Sequence, residues 1–259
     1  MKNSYPILEF DNDKDAIIRP KPIKGNFYSK AILCFFQEVI SDLLNQGKLK
    51  LIKELSSEMG KHPVYELQYE KDTFIVFHPG IGAPLCGGFF DELVVSFGIK
   101  HAIMCGGAGV LDKSLGVGNP IIPLAAIRDE GTSYHYIPPS REVLPSIKAV
   151  NSIRLVFKKH KINYFEGKTW TTDGYYRETK QKIQSRKSEG CITVEMEAAA
   201  FFAVGKFHNI DTGQILYAGD DVSGENWDSR EWWQKGSIRE KIFWLAVESC
   251  KILSTTTNG

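Results

Sequence analysis

The sequence lacks several features that would place it in a membrane, secreted or nucleic-acid-binding class. None of its apolar runs approaches the ~18 residues that a membrane-spanning helix requires. Its amino-terminal stretch has no apolar core typical of a secretory signal, so we expect a cytoplasmic protein. Its 32 basic and 31 acidic residues give a formal net charge of +1, and this balance indicates neither a nucleic-acid nor a membrane partner.

Cysteine is also scarce: the 259 residues include only five, and no two of them are spaced as CxxC. An odd number of widely separated cysteines is atypical of a disulfide framework or a zinc site, so we expect reduced thiols and no metal. The motifs GxGxxG, GxxxxGK(S/T), GxSxG and HExxH are absent as well. Their absence argues against a Rossmann cofactor, a P-loop nucleotide hydrolase, a serine hydrolase and a zinc protease.

What the sequence does contain is an alternation of strand-like and helix-like segments. Short apolar runs predict strands at 74–77, 102–105, 120–127, 168–172, 192–194 and 214–218. Apolar residues at helical spacing predict helices at 31–44, 89–97, 143–160, 195–207 and 238–253. This alternation predicts an α/β fold with a mixed, mainly parallel sheet covered on both faces. No linker divides the chain, so we expect one domain over 1–259 with a frayed polar tail at 254–259.

The segment VEMEAAAFF, residues 194–202, is the most informative. It places Glu195 and Glu197 on either side of Met196, where a predicted strand runs into an apolar helix. Acidic residues at a helix start are favoured by the helix dipole, which accounts for one of the two. Carboxylates at such a junction need partners, and one carboxylate can accept two hydrogen bonds from the vicinal diol of a sugar. We therefore favour a functional role for this pair.

A second acidic pair, Asp220 and Asp221, follows the predicted strand at 214–218. Adjacent side chains diverge in an extended backbone, so one carboxyl can enter a pocket while the other caps the next turn, with Ser223 as an alternative cap. A carboxyl that keeps a proton near neutral pH can act as a general acid. A simple capping role fits the sequence equally well. The segment AIRDEGTSYHY, with Arg128, is more typical of a solvated loop or a subunit contact.

Glycine-rich turns follow two of the predicted strands, in GIGAP (80–84) and CGGAG (105–109). Backbone N–H groups in such turns can approach an anion. Ligands of open α/β sheets bind beyond the carboxyl ends of the strands, where these turns and both acidic pairs are expected. The sequence therefore predicts one site at that edge of the sheet.

Five segments occur in a characteristic order, and VEMEAAAFFAV is the most specific of them. The others are GIGAPLCGGFFDELVVSFGIKHAIMCGGAGVL, VGNPIIPLAAIRDEGTSYHY, TTDGYYRET and AGDDVSG. Together, over about residues 62–252, they resemble the nucleoside phosphorylase family that includes hexameric purine nucleoside phosphorylases and uridine phosphorylases. The resemblance implies a three-layer α/β/α domain whose sheet curls into a distorted barrel. It also implies a homo-oligomer, dimeric or hexameric, and leaves residues 1–25 as a divergent segment.

The resemblance further implies roles for residues at matching positions. Glu197, with Met196, would hold the ribose 2′ and 3′ hydroxyls, and Glu195 would lie near the sugar and the base. Tyr175 would stack on the base. Asp220 would protonate a purine at N7.

The phosphate end matches less completely. Gly82, Gly106 and Gly107 match the walls of the phosphate and ribose site. However, Met104 stands where the family has a phosphate-binding arginine, and Gly107 stands where it has serine or threonine.

Two arginines remain as candidates for phosphate binding. They are Arg128 and Arg19, the latter within DNDKDAIIR, which occupies the place of the family's amino-terminal phosphate loop. The histidine that a neighbouring subunit contributes in the family is absent, because the first histidine is His62. Arg177 stands near the place of the pair that reads uracil.

The implied reaction is phosphorolysis of a nucleoside, giving a free base and ribose 1-phosphate, with phosphate as co-substrate and no cofactor. A purine is preferred to uridine because Asp220 is present and the uracil-reading pair is not. Two alternatives stay open because of Met104 and Gly107. One is a nucleoside hydrolase that uses water on the same fold, and the other is a catalytically inactive nucleoside-binding relative.

Overall fold

A computed structural model describes residues 3–23, 25, 27–234 and 236–255. The strands within these ranges are β1 (Lys30–Cys34), β2 (Leu49–Ser57), β3 (Gly60–Tyr69), β4 (Asp72–Phe77), β5 (His101–Val110), β6 (Pro120–Asp129), β7 (Glu142–Val143), β8 (Phe165–Thr172), β9 (Cys191–Glu195) and β10 (Asp211–Asp221). The α-helices are α1 (Gln37–Asn45), α2 (Ala83–Phe97), α3 (Ile147–Lys159), α4 (Lys180–Ser188), α5 (Ala198–His208) and α6 (Gly236–Thr255). No helix of the described residues has the length and apolar character needed to cross a membrane.

The strands form one mixed sheet, part of which closes on itself. β5 pairs with β10, β10 with β6, β6 with β8, β8 with β9, and β9 returns to β5. The pairings of β4 with β1, β1 with β5 and β5 with β10 are parallel. The pairings of β6 with β8 and of β8 with β9 are parallel as well. The predicted mixed α/β sheet is therefore confirmed, and five of its strands form a closed barrel.

Strand β5 takes part in both the barrel and its open extension because its two halves have different neighbours. Its residues 101–105 pair with β1, whereas Gly109 and Val110 pair with β9. Between them, residues 106–108 pair only with β10 among the described strands. One edge of β5 is therefore free of a neighbouring strand at the glycine-rich stretch.

Helices cover the sheet on both faces. α3 and α6 pack on one face in a cluster that includes Ile103, Ile153 and Phe243, and α2 and α5 pack on the other with Phe90 and Phe201. Alternate residues of the strands enter the two clusters, as a sheet buried on both sides requires. All five cysteines are buried and free.

The predicted helix at 31–44 is wrong in its first part, which forms strand β1. β1 is central and buried on both faces, since Ala31 and Leu33 join one cluster while Ile32 and Cys34 join the other. A fully buried strand is continuously apolar, so its spacing also satisfies a helical pattern. The helix α1 begins only at Gln37.

Other elements escaped prediction because they carry little apolar periodicity. The edge hairpin β2–β3 is largely exposed along β2, and the polar helix α4 buries only Arg186. The tail expected at 254–259 is helical at Ser254 and Thr255, which end α6, and the remaining four residues lie outside the described ranges.

A glycine sets the closest approach between α5 and the barrel. A Cβ atom on Gly205 would lie 2.5 Å from Cγ2 and 3.2 Å from Cβ of Thr212 on β10. The second of these atoms is fixed to the backbone, so a methyl group at position 205 would force helix and strand apart. Gly88 on α2 offers a comparison, because a Cβ there has nothing within 4 Å.

We expect Gly205→Ala to lower the free energy of unfolding by about 1–3 kcal/mol through overpacking. Gly88→Ala, an equal change at an open and exposed helical position, should raise it by about 0.5–1 kcal/mol. Urea denaturation followed by circular dichroism measures both values. Equal effects of the two substitutions would contradict the close packing of α5 on β10.

Candidate active site

A cavity of about 380 Å³ opens where β5, β9 and β10 meet the ends of β1 and β4. The part of its wall that β5 contributes includes residues 106–108, which have no neighbouring strand of the described chain on one edge. Of the residues singled out by the sequence, those that line the cavity are Gly106, Gly107, Tyr175, Glu195, Met196, Glu197 and Asp220. Both acidic motifs and both glycine-rich turns, the first of them through Ile81, therefore converge on one space.

Glu195, the last residue of β9, is buried and its carboxylate is fully engaged. Its Oε1 accepts a hydrogen bond from Thr171 Oγ1 at 2.6 Å, and its Oε2 accepts from the backbone N of Glu197 at 2.8 Å and of Ala198 at 2.6 Å. Burial raises the pKa of Glu195 above its usual range. Glu195 accepts hydrogen bonds from the first N–H groups of α5, and it also lines the cavity. Both interpretations of the sequence, a helix start and a functional site, therefore apply to it.

Glu197, the residue before α5, is buried beside it. Its Oε1 accepts a hydrogen bond from the backbone N of Gly82 at 2.6 Å, and its Oε2 accepts from the N of Met196 at 3.3 Å. Gly82 has a φ of 92°, which favours glycine, and it precedes α2. Burial, followed by the charge of Glu195, raises the pKa of Glu197. The carboxylate is thus fixed by backbone amides while its remaining lone pairs can accept from a ligand.

The two aspartates at the end of β10 have separate roles. Asp220 lines the cavity, and its Oδ2 accepts a hydrogen bond from Trp227 Nε1 at 2.7 Å. Asp221 instead accepts from the backbone N of Ser223 at 2.7 Å and caps the turn that follows. One carboxyl enters the pocket and the other stabilises the loop.

A short 3₁₀ turn, Tyr175–Arg177, forms part of the cavity mouth. Tyr175 lines the cavity with about half of its surface exposed, and its ring centroid is 4.2 Å from that of Tyr176. Arg177 is exposed and is not among the lining residues, so the geometry does not support a substrate contact. The next residue, Glu178, which with Arg177 stands near the place of the family's uracil-reading pair, lines the cavity and is half-buried.

The residues expected to bind phosphate do not converge on the cavity. Arg128 is buried elsewhere, donating to Ser133 Oγ at 2.8 Å and to Ser140 Oγ and the Pro138 carbonyl, both at 2.7 Å. Arg19 is exposed and pairs with Asp15 at 2.8 Å. The N–H of Gly82 is taken by Glu197. One arginine therefore braces a loop, one lies at the surface, and the Gly82 amide holds the carboxyl group of Glu197; phosphate binding by these residues stays a prediction.

Aromatic residues at the end of β1 occupy part of the space instead. Phe35 and Phe36 line the cavity, and a Cβ on Gly106 would lie 2.9 Å from Phe35 Cδ2. Trp232, which precedes α6, lines it as well. The sequence pattern missed Phe35 and Phe36 because it predicted a helix where β1 lies. The end of β1 was therefore not expected at the site.

The cavity has a strongly acidic lining. Glu178, Glu195, Glu197 and Asp220 contribute four carboxyl groups, and Arg239 contributes the one guanidinium or ammonium group among the described lining residues. Arg239 is already paired, with its Nε 2.6 Å and its Nη2 2.9 Å from the carboxylate oxygens of Glu38. No lining cation of the described chain is thus free to neutralise an anionic ligand.

Gln214 is a further unpredicted lining residue. It is buried on β10, and its Oε1 has no hydrogen-bond partner among the described residues. It pairs in register with Met104 of β5, which is fully buried. A buried carbonyl oxygen without a partner is costly, and a ligand or a water molecule in the cavity would satisfy it.

Residues 29–246 match the family model of the phosphorylase superfamily. The chain belongs to the phosphorylase superfamily. This confirms the family resemblance found in the sequence. Among curated relatives, a guanosine phosphorylase of Halorubrum lacusprofundi is 22% identical over 195 residues, which are 73% of this chain and 80% of that protein.

Solved structures with the same fold include one named a nucleosidase and one named a phosphorylase. An AMP nucleosidase from Bacteroides thetaiotaomicron has a TM-score of 0.70 at 21% identity and covers 88% of this chain and 89% of its own. A uridine phosphorylase from Vibrio fischeri has a TM-score of 0.72 at 20% identity and covers 92% and 98%. At such identities these neighbours establish the fold, and the family model establishes that the chain is an enzyme of the phosphorylase superfamily.

The buried carboxyls make stability depend on pH. Because burial raises the pKa of Glu197 in the folded state, ionising it favours the unfolded chain. The contribution of Glu197 to stability is therefore fully present below the ordinary carboxyl pKa of 4.5 and is lost as pH rises through the raised value. In Glu197→Gln the fall in unfolding free energy from about pH 5 to about pH 8 should be smaller than in the wild type.

Urea denaturation at several pH values measures this slope. Glu58→Gln, at an exposed turn between β2 and β3, removes an equal charge and should leave the wild-type slope unchanged. An identical slope in Glu197→Gln and the wild type would show that this carboxyl is not held protonated by burial.

Proposed function

We propose that the protein cleaves the N-glycosidic bond of a nucleoside and uses water as the nucleophile. The observation that carries this proposal is that no cation of the described lining residues is free: the one lining guanidinium, of Arg239, is already neutralised by Glu38. Phosphate carries negative charge at neutral pH and needs a counter-charge when it leaves bulk water, whereas water is uncharged. Phe35 supports the same conclusion because its ring packs against Gly106, where a phosphate would need backbone access.

The arrangement divides the chemistry between two ends. Glu197, fixed by two backbone N–H groups, can accept hydrogen bonds from the hydroxyls of a ribose and so fix the sugar for reaction. At the other end, carboxyl groups next to Tyr175 can give a proton to the leaving base. Water attacks the anomeric carbon while the electron pair of the C–N bond moves onto the base, and the proton of the water passes to a cavity carboxylate. The products are a free base and ribose.

Phosphorolysis is the second candidate, and the names of curated relatives favour it. The guanosine phosphorylase and purine nucleoside phosphorylases cover most of this chain at 22–26% identity. In this case, phosphate would require a cation from outside the described lining, such as one from a second copy of the chain. A homo-oligomer therefore stays a prediction. It matters mainly for phosphorolysis, because a second copy of the chain could supply the cation that phosphate requires. Neither reaction requires a cofactor, and we propose none.

The experiment is base release from adenosine, inosine, guanosine and uridine, with and without phosphate, in water enriched in oxygen-18. Hydrolysis places the label in free ribose and leaves the rate independent of phosphate. Ribose 1-phosphate as the product would overturn hydrolysis in favour of phosphorolysis. Base release from none of the four nucleosides would contradict both candidates.

Replacing the sugar-binding carboxylate tests its role separately. We expect Glu197→Gln to lower kcat/KM by about 10²-fold or more, since an amide NH2 group replaces an oxygen that accepts hydrogen bonds from a backbone N–H and from the sugar. Glu58→Gln, the exposed control, should retain the wild-type rate. If both variants cleave nucleosides equally fast, Glu197 has no part in the reaction.

A further inference from the structure

The fold itself gives no reason for the amide of Gln214. This side chain lies on β10 with 1% of its surface exposed, and its Oε1 has no hydrogen-bond partner among the described residues. Of the described residues that line the cavity, Gln214 is the one whose side chain has a buried acceptor without a partner. Such an oxygen costs free energy unless something bonds to it, so its place in the cavity wall points to a ligand.

Strand pairing places Gln214 at the inner end of the cavity. β10 runs beside β5, with Gln214 next to Met104 and Ala218 next to Ala108. Asp220 follows further along β10, up to about 20 Å from Gln214 at the rise of an extended strand. Gln214 and Asp220 therefore line opposite ends of one cavity.

The inner end lies next to the carboxyl group that we assign to the sugar. The backbone N of Gly82 donates to Glu197 Oε1 at 2.6 Å, and one helical turn later Cys86 Sγ donates to Met104 Sδ at 3.8 Å. Met104 is the strand neighbour of Gln214. The first turn of α2 therefore connects Glu197 to Gln214, and a ribose held by Glu197 would lie between Gln214 and the base.

The neighbouring lining side chains leave this task to Gln214. Phe35 and Ile81 are apolar, so they offer no hydrogen bond. His78 uses its Nδ1 to accept from the backbone N of Gly80 at 3.2 Å. The amide oxygen of Gln214 is therefore the neutral acceptor that remains for a small hydrogen-bond donor.

We propose that Gln214 Oε1 binds the water molecule that attacks the anomeric carbon. This rests on the proposed hydrolysis. The electron pair of the C–N bond leaves with the base, so the nucleophile approaches from the opposite side of the sugar, which is the side of Gln214. Water suits this position because it has two protons. One can bond to Gln214, and the other is free for the carboxylate that accepts it.

The step is balanced within these groups. A lone pair of the water oxygen forms the bond to the anomeric carbon while the C–N bond breaks and its electron pair moves onto the base. The water proton that is not bonded to Gln214 passes to a cavity carboxylate, and the other stays on the new ribose hydroxyl. A carboxyl group at the base end gives its proton to the base. Gln214 gains and loses no proton, so it holds and orients the water.

Competition between water and methanol tests the proposal on the wild type. Methanol has one hydroxyl proton, so it cannot bond to Gln214 and give a proton to a carboxylate at the same time. The substrate is whichever of adenosine, inosine, guanosine and uridine the wild type cleaves fastest. We expect methyl riboside to form at least about 10-fold below the share of methanol among the nucleophiles. Methyl riboside in proportion to methanol would overturn the proposal.

Gln214→Met keeps the size of the side chain and removes its oxygen. We expect kcat to fall by about 10-fold or more because the water is no longer oriented. KM should stay within about 2-fold, since the sugar and base contacts remain. The share of methyl riboside should rise, which a merely structural effect would not cause. Because Oε1 has no partner in the described fold, this variant should not unfold at a lower urea concentration than the wild type.

Two further variants complete the test. Gln214→Glu keeps an oxygen at the same reach and should restore most of the rate and the preference for water. Thr169→Val is the matched control, because Thr169 is buried on β8, its Oγ1 has no partner among the described residues, and it does not line the cavity. This control should keep the wild-type kcat and product ratio.

A folded Gln214→Met with the wild-type kcat and product ratio would refute the role of Gln214 and leave hydrolysis intact. Ribose 1-phosphate as the product of the wild type, or no base release at all, would instead refute the proposed hydrolysis. If Gln214→Met does not fold, the methanol competition in the wild type still decides.

Discussion

The site depends on the burial of two carboxylates at the junction of β9 and α5. Removing a carboxylate from water is costly unless several donors replace the water, and here they are the backbone N–H groups of Gly82, Met196, Glu197 and Ala198 together with the Thr171 hydroxyl. Those donors come from three parts of the chain. The hydrogen bonds to these two carboxyl groups therefore fix the turn before α2, the end of β8 and the start of α5 relative to each other. Together these three segments form the cavity wall.

Barrel closure brings the remaining groups to that frame. Strand β5 exchanges one neighbour, β1, for another, β9, along the same edge, and residues 106–108 lie in the interval between them. The cavity occupies this interval, with β10 running along the other edge of β5 and ending in Asp220. Glu197, just after β9, and Asp220, at the end of β10, are thus positioned by strands on opposite edges of one short segment of β5.

The sequence was informative where a signal was local. A strand ending in Glu-Met-Glu and another ending in Asp-Asp predicted correctly that Glu195, Glu197 and Asp220 share one space, because the ends of strands meet in an α/β sheet. The long-range partners could not be predicted. Arg239 reaches the cavity from α6, and Phe35 reaches it only because 30–34 is a buried strand, whose apolar residues do not reveal their period. That Arg128 braces its own loop could not be predicted either, because a sequence does not distinguish such an arginine from one that binds a ligand.

The distribution of charge connects the fold to the choice of nucleophile. A wall that holds four carboxyl groups and no free cation can accept hydrogen bonds from a sugar, but it offers a phosphate ion no counter-charge. The one lining guanidinium, on Arg239, is held between Glu38 and the rings of Phe36 and Trp232, so moving it toward an anion would break an ion pair and leave Glu38 unpaired. Gln214 adds to the lining an amide oxygen that has no hydrogen-bond partner among the described residues. Such an oxygen can accept a hydrogen bond from water but not from an anion that has no proton to donate, which supports the proposed use of water as the nucleophile.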